Sequence, residues 1–124
     1  MARILIIDDD ESIRSVFKRF LEGEGHDVEV ASDGHKGLQV LERHSVDLVI
    51  TDIMMPETDG LEVVMAVRGK GTEIPVIAMS GGMHAVPMDF LPMAKKFGAE
   101  KVLYKPIELV DLLAAVDEAL TDPQ

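Results

Sequence analysis

The sequence predicts an α/β fold, a parallel sheet wrapped on both faces by helices. Three observations predict it. Short apolar runs alternate with stretches of helical periodicity. The connections between them are brief. Most of the runs are apolar at every position, as strands buried on both faces must be, and lack the apolar–polar alternation of a sheet with one wet face.

Each element follows from its own pattern. Ile4-Leu5-Ile6-Ile7 reads as a buried strand. Residues 11–23 place Ile13, Val16, Phe17, Phe20 and Leu21 on one helical face. Val28 to Ala31 is a weaker, alternating strand, and Gly34 to His44 a helix carrying Leu38 and Leu41. Leu48-Val49-Ile50 is a second buried strand. Gly60 to Arg68 is helical and stops at Gly69-Lys70-Gly71. Pro75 to Met79 and the shorter Lys101 to Tyr104 complete the strands, and a helix from about Glu108 to Leu120 precedes a short polar tail, residues 121–124. Before the last strand, Pro92 would cost ~3 kcal/mol inside a helix. It costs nothing in a first turn, so Asp89 is read as an N-cap. That helix is short, ends before Gly98, and follows a long loop over residues 80–88. Five β-α units joined by right-handed crossovers give a doubly wound, flavodoxin-like (βα)5 sheet with strand order 2-1-3-4-5. No repeat or linker interrupts residues 1–124, which are expected to be one domain without an output domain.

Composition narrows the function classes. With no cysteine, disulfides and thiolate metal sites are excluded. Twenty-three acidic against 12 basic residues give a net charge of −11, which a nucleic-acid backbone would repel, so no direct DNA binding is expected. The opening apolar run of four residues is too short for a signal peptide or a membrane span, so a cytoplasmic protein with no membrane partner is expected. His26, His35, His44 and His84 lack ligand spacing and are read as surface residues. Glu42 and Arg43 are read as a solvated helix face, and most of the eight methionines as core filler.

The chemistry lies at the strand ends. In a parallel sheet of this kind, ligands bind beyond the carboxyl ends of the strands. The first strand delivers Asp8 and Asp9 there, the third Asp52, the fourth Ser80 and the fifth Lys105, followed by Pro106. Singly, each has a plain explanation: a helix cap, a turn, a loop or a solvated lysine. Together, in this order, they describe a site. Carboxylates ~4 Å apart repel by about 4 kcal/mol per pair at an effective dielectric of ~20. Either some are protonated or a cation sits among them. An all-oxygen donor set with few protein ligands suits Mg²⁺ better than Ca²⁺. An aspartate can also act as a nucleophile toward phosphorus and form an acyl phosphate. Lys105 and a metal would balance charge on a transferring phosphoryl group, and Ser80 could donate a hydrogen bond to it.

These residues in their setting resemble the receiver domain of response regulators. The resemblance is carried by Ile4 to Asp9, by Thr51-Asp52-Ile53-Met54-Met55-Pro56 with Asp59-Gly60, by Ile77-Ala78-Met79-Ser80-Gly81, and by Lys105-Pro106-Ile107. It covers essentially the whole chain. It implies that Asp52 is the phosphoacceptor, taking a phosphoryl group from a sensor histidine kinase or a histidine phosphotransfer protein. It implies Mg²⁺ bound directly by Asp9, by Asp8 mainly through water, and with Asp52 and the Met54 backbone carbonyl as further ligands. It implies phosphoryl contacts from Ser80 and Lys105, a cis Lys105-Pro106 bond, and an output by conformational change toward a downstream protein target or by phosphate relay. The chain departs from the family pattern in two places. The stretch from Ser80 to Lys105 is a few residues longer than usual, and Val102 stands where a switching aromatic is common. Residues 81–91 are therefore expected to carry the conformational change.

Two other readings compete. A metal-dependent phosphohydrolase with an aspartate nucleophile would commonly carry a second aspartate two residues after the first, where this chain has Met54. A degenerate receiver, acting only as an interaction module, would not need the full set of Asp8, Asp9, Asp52, Ser80 and Lys105.

Overall fold

The computed structural model describes residues 2–52, 66, 74–80 and 101–121. Five strands, β1 (Arg3–Ile7), β2 (Asp27–Ala31), β3 (Leu48–Asp52), β4 (Val76–Ser80) and β5 (Lys101–Tyr104), form one sheet in the order β2-β1-β3-β4-β5. Every pair is parallel. The described helices are α1 (Glu11–Gly23), α2 (Gly34–Arg43) and the C-terminal α3 (Leu109–Thr121). The expected flavodoxin-like order is the observed one. No helix among the described residues is long and apolar enough to cross a membrane.

The all-apolar strands have two cores to fill. On β1, Ile4 and Ile6 face one side of the sheet and Leu5 and Ile7 the other. The first pair joins Leu48, Ile50, Ile77 and Met79 in a cluster closed by Phe17 and Leu21 of α1 and by Leu112, Ala115 and Val116 of α3. The second pair joins Ala31, Val46, Val49 and Val76, with Val40 and Leu41 of α2 packed against them. Gly37 lets α2 approach the sheet, because a Cβ there would lie 2.3 Å from the Ile7 Cδ1. The helices after β1 and β2 each start on an aspartate cap. Asp10 accepts the Ser12 and Ile13 N–H groups, and Asp33 accepts that of Lys36. Such caps are each worth about 1 kcal/mol.

Element ends differ from the sequence reading in specific ways. β1 and β2 each begin one residue earlier, at Arg3 and Asp27, which are register partners joined by an ion pair of 3.2 Å. β3 runs on through Asp52 and β4 through Ser80, because inter-strand pairing outlasts the apolar run. Pro75 precedes β4, its carbonyl accepting the Val49 N–H. Thr121, read as tail, ends α3, and its hydroxyl donates to the Asp117 carbonyl one turn back. His26 is not a plain surface residue: it is half-buried and its Nδ1 accepts the Ala2 N–H at 3.3 Å. His35 and His44 are exposed as expected, as are Glu42 and Arg43, and Met79 fills the core. The expected helix over 60–68 lies outside the described residues except for Ala66, which is helical. The loop over 80–88 beyond Ser80, the Asp89 cap, the short helix behind it, His84 and the segment 81–91 also lie outside them, as do residues 122–124.

Candidate functional site

Strand parity brings the site together. Asp8 continues the Ile4, Ile6 series of β1, and Asp52 the Leu48, Ile50 series of β3. Lys105 continues the series of Leu103, which packs against the same core cluster. All three therefore emerge at the carboxyl edge of the sheet on the side covered by α1 and α3. There the Lys105 Nζ donates to Asp8 Oδ2 at 2.7 Å and to Asp52 Oδ2 at 2.9 Å. Asp8 is fully buried and Asp52 is 4% exposed, while Asp9 lies in solvent. The peptide bond between Lys105 and Pro106 is cis.

Each polar group of Asp8 has a use. Its N–H donates to the Ala31 carbonyl and its Oδ1 accepts the Asp10 N–H at 2.9 Å. Its carbonyl accepts from the Arg14 guanidinium at 2.8 Å. Thr51, buried beside the acceptor candidate, turns its hydroxyl onto the Asp52 carbonyl.

Burial pushes the Asp8 carboxyl above its ordinary range, with the Asp52 charge adding to the effect. The Lys105 and Asp10 hydrogen bonds oppose this without cancelling it. Burial alone would lower the Lys105 pKa, but its hydrogen bonds to Asp8 and Asp52 and their charges together outweigh burial and hold the ammonium above its usual range. Among the described residues, the Lys105 ammonium bonds two of three clustered carboxylates, Asp8 and Asp52. Oxygens of Asp8, Asp9 and Asp52 lie within 4.8 Å of one another. That spacing and the all-oxygen donor set fit a small hard cation such as Mg²⁺.

The structure therefore brings together Asp8, Asp9, Asp52 and Lys105. Ser80 closes β4 one residue past Met79, the register partner of Asp52, while its side chain and the Met54 carbonyl lie outside the described residues. Tyr104 is 56% exposed and Val102 half-buried. Sequence reasoning missed Arg14. The available signal was its place one turn into a helix that starts at the site, since long helical side chains lean toward the N-terminus.

Residues 4–117 match the response regulator receiver domain family. The chain belongs to that family. Among relatives of this receiver, the response regulator MprA of Mycobacterium tuberculosis is 36% identical over 110 residues. That match takes in 82% of this chain and 47% of MprA, so the receiver spans about half the length of the curated relatives it matches. Solved structures superpose over nearly its whole length. The chemotaxis protein CheY4 of Vibrio cholerae has a TM-score of 0.86 at 31% identity, covering 97% of this chain and 99% of that one. The receiver domain of the Francisella response regulator 1452 reaches 0.88 at 27% identity, each chain fully covered. The response regulator TrrA of Thermotoga maritima, solved in complex with Mg²⁺ and BeF, gives 0.84 at 30% identity, covering 97% of this chain and all of that one. Receiver domains are signalling domains of two-component systems, in which response regulators interact with histidine kinases, and they bind Mg²⁺ at their acidic pocket.

Proposed function

We propose that this receiver accepts a phosphoryl group on Asp52 from a phosphohistidine of a sensor histidine kinase or a histidine phosphotransfer protein. The observation that carries the reading is the Lys105 ammonium held between Asp8 and Asp52 in a buried cluster rich in negative charge. An ionised Asp52 oxygen forms the new bond to phosphorus. The bond from phosphorus to the donor imidazole nitrogen breaks, and its electron pair stays on that nitrogen. Asp52 needs no base, because it attacks as a carboxylate. Lys105 restrains the Asp52 carboxylate and stands ready to share charge with the phosphoryl oxygens. Ser80, at the end of the adjacent strand, is assigned a hydrogen bond to one of those oxygens. The cation is assigned to Asp9 and Asp52 directly, to Asp8 mainly through water, and to the Met54 carbonyl; when bound, Mg²⁺ supplies positive charge for the transferring group.

The phosphorylated domain then signals by changing conformation toward a downstream protein, or passes the phosphate on. The domain's own acidity, −11 overall, favours a protein partner over direct contact with DNA. Incubation with Mg²⁺ and acetyl phosphate tests the reading by intact mass. The wild type gains one phosphoryl group and Asp52→Ala gains none. Equal labelling of the two proteins overturns it.

A further inference from the structure

Arg14 lies outside the carboxylate cluster, yet its guanidinium ends on the site. β2 finishes at Ala31, the register partner of Ile7, so the Asp8 carbonyl lies one residue beyond the paired ladder. The Arg14 guanidinium donates to that carbonyl at 2.8 Å. On the other side of the same residue, the Asp8 N–H is still held by the Ala31 carbonyl at 3.1 Å. The Asp8–Asp9 peptide unit is thereby clamped, and Asp9 hangs directly from it. The clamp is braced from below: the Arg14 N–H donates to the Asp10 carbonyl, and the Asp10 N–H donates to Asp8 Oδ1. Asp10 in turn caps α1, the helix that carries Arg14. Strand end, turn and helix start form one closed hydrogen-bonded unit, with the exposed Asp9 as its outward arm.

We infer that Arg14 is a positioning residue for the cation site: it fixes the peptide from which Asp9 projects toward Asp8 and Asp52. The inference rests on the assignment of these carboxylates to Mg²⁺. It has a sign that distinguishes it from a purely electrostatic role. A fixed positive charge near the site repels Mg²⁺, so if charge alone mattered, removing it would tighten binding. If orientation matters, removing it loosens binding, because partners that orient metal ligands typically carry about 10–100-fold in metal affinity. A role in fold stability alone would lower the melting temperature and leave the Mg²⁺ affinity of the folded protein where it was.

Mg²⁺ titrations by calorimetry on the intact chain decide among these, with melting measured in metal-free buffer beside each. Arg14→Met keeps the apolar stem and removes both charge and donors, and its Mg²⁺ affinity is expected to fall about tenfold. Arg14→Lys keeps the charge and one donor, and is expected to fall between Arg14→Met and the wild type. Should Arg14→Met not fold, the reduced affinity of Arg14→Lys at unchanged charge carries the same conclusion. Equal or tighter binding in the folded variants, with wild-type binding intact, overturns the inference alone. A wild type that takes up no Mg²⁺ overturns the metal assignment, and the inference with it.

Discussion

Replacing Lys105 with Met keeps a long side chain and removes the ammonium. In the wild type that ammonium lies 2.7 Å from one buried carboxylate and 2.9 Å from another, with the Asp8 side chain fully buried and that of Asp52 only 6% exposed. Removing one partner from a buried ion pair costs about 3–5 kcal/mol, because the carboxylate left behind, here the fully buried Asp8, loses the ammonium that faced it. For a chain of this size the equivalent fall in melting temperature is roughly 12–20 °C, at about 4 °C per kcal/mol. The loss should depend on pH. Burial already raises the Asp8 pKa above 3.8 against the lowering effect of Lys105, and without Lys105 it rises further. A group whose pKa is raised by folding favours the native state below its unfolded pKa and loses that contribution as pH rises through the folded value. The metal-free Lys105→Met protein should therefore be weakest at neutral pH and regain stability on acidification into the carboxylate range. Urea unfolding in EDTA at several pH values measures this directly, and excess Mg²⁺ should restore part of the loss. A deficit below about 1 kcal/mol at neutral pH, the scale of an exposed ion pair, would refute the reasoning.

The wild-type ammonium gives the opposite end of the pH axis. Its raised pKa means that its stabilising contribution is full below 10.5 and is lost as pH rises through the higher folded value, so alkaline unfolding should be steeper in the wild type than in Lys105→Met. Mg²⁺ binding should weaken on acidification from a pH above 3.8, as protons compete for Asp8, and calorimetry across that range reads it. Gly37→Ala should cost about 1–2 kcal/mol in urea unfolding, since the new methyl displaces the buried Ile7 side chain and helix propensity returns only part of the loss. Met54→Asn should speed loss of the phosphoryl group, because an amide can orient an attacking water and a thioether cannot; an unchanged or slower decay counts against that account.

Much of this was legible from residue order alone. Wholly apolar strands at 4–7, 48–50 and 76–79 announce burial on both faces, and the two core clusters bear that out. Asp8, Asp52 and Lys105 could be read as neighbours because each falls at a strand end, and strand parity then aims all three to one side. The exact strand ends were less legible, since hydrogen bonding carries β3 and β4 one or two residues past their apolar cores, onto Asp52 and Ser80. Main-chain partnerships were the least legible. The Arg14 guanidinium on the Asp8 carbonyl and the Ala2 N–H on His26 depend on where a backbone group is left beyond its ladder, and side-chain chemistry does not record that. Asp10 shows the same limit: as a third aspartate in a row it looks like more acidity, whereas in the fold it caps α1 and ties Asp8 to it.

The central claim is that Asp52 carries the phosphoryl group. An acyl phosphate is open to reductive trapping, so the labelled protein can be treated with borohydride, digested, and its peptides sequenced by mass spectrometry. The account predicts conversion of Asp52 to homoserine, dependent on both phosphodonor and Mg²⁺, with Asp8 and Asp9 unchanged. Conversion at Asp8 or Asp9, or a stable label on Ser80 with Asp52 intact, would contradict it.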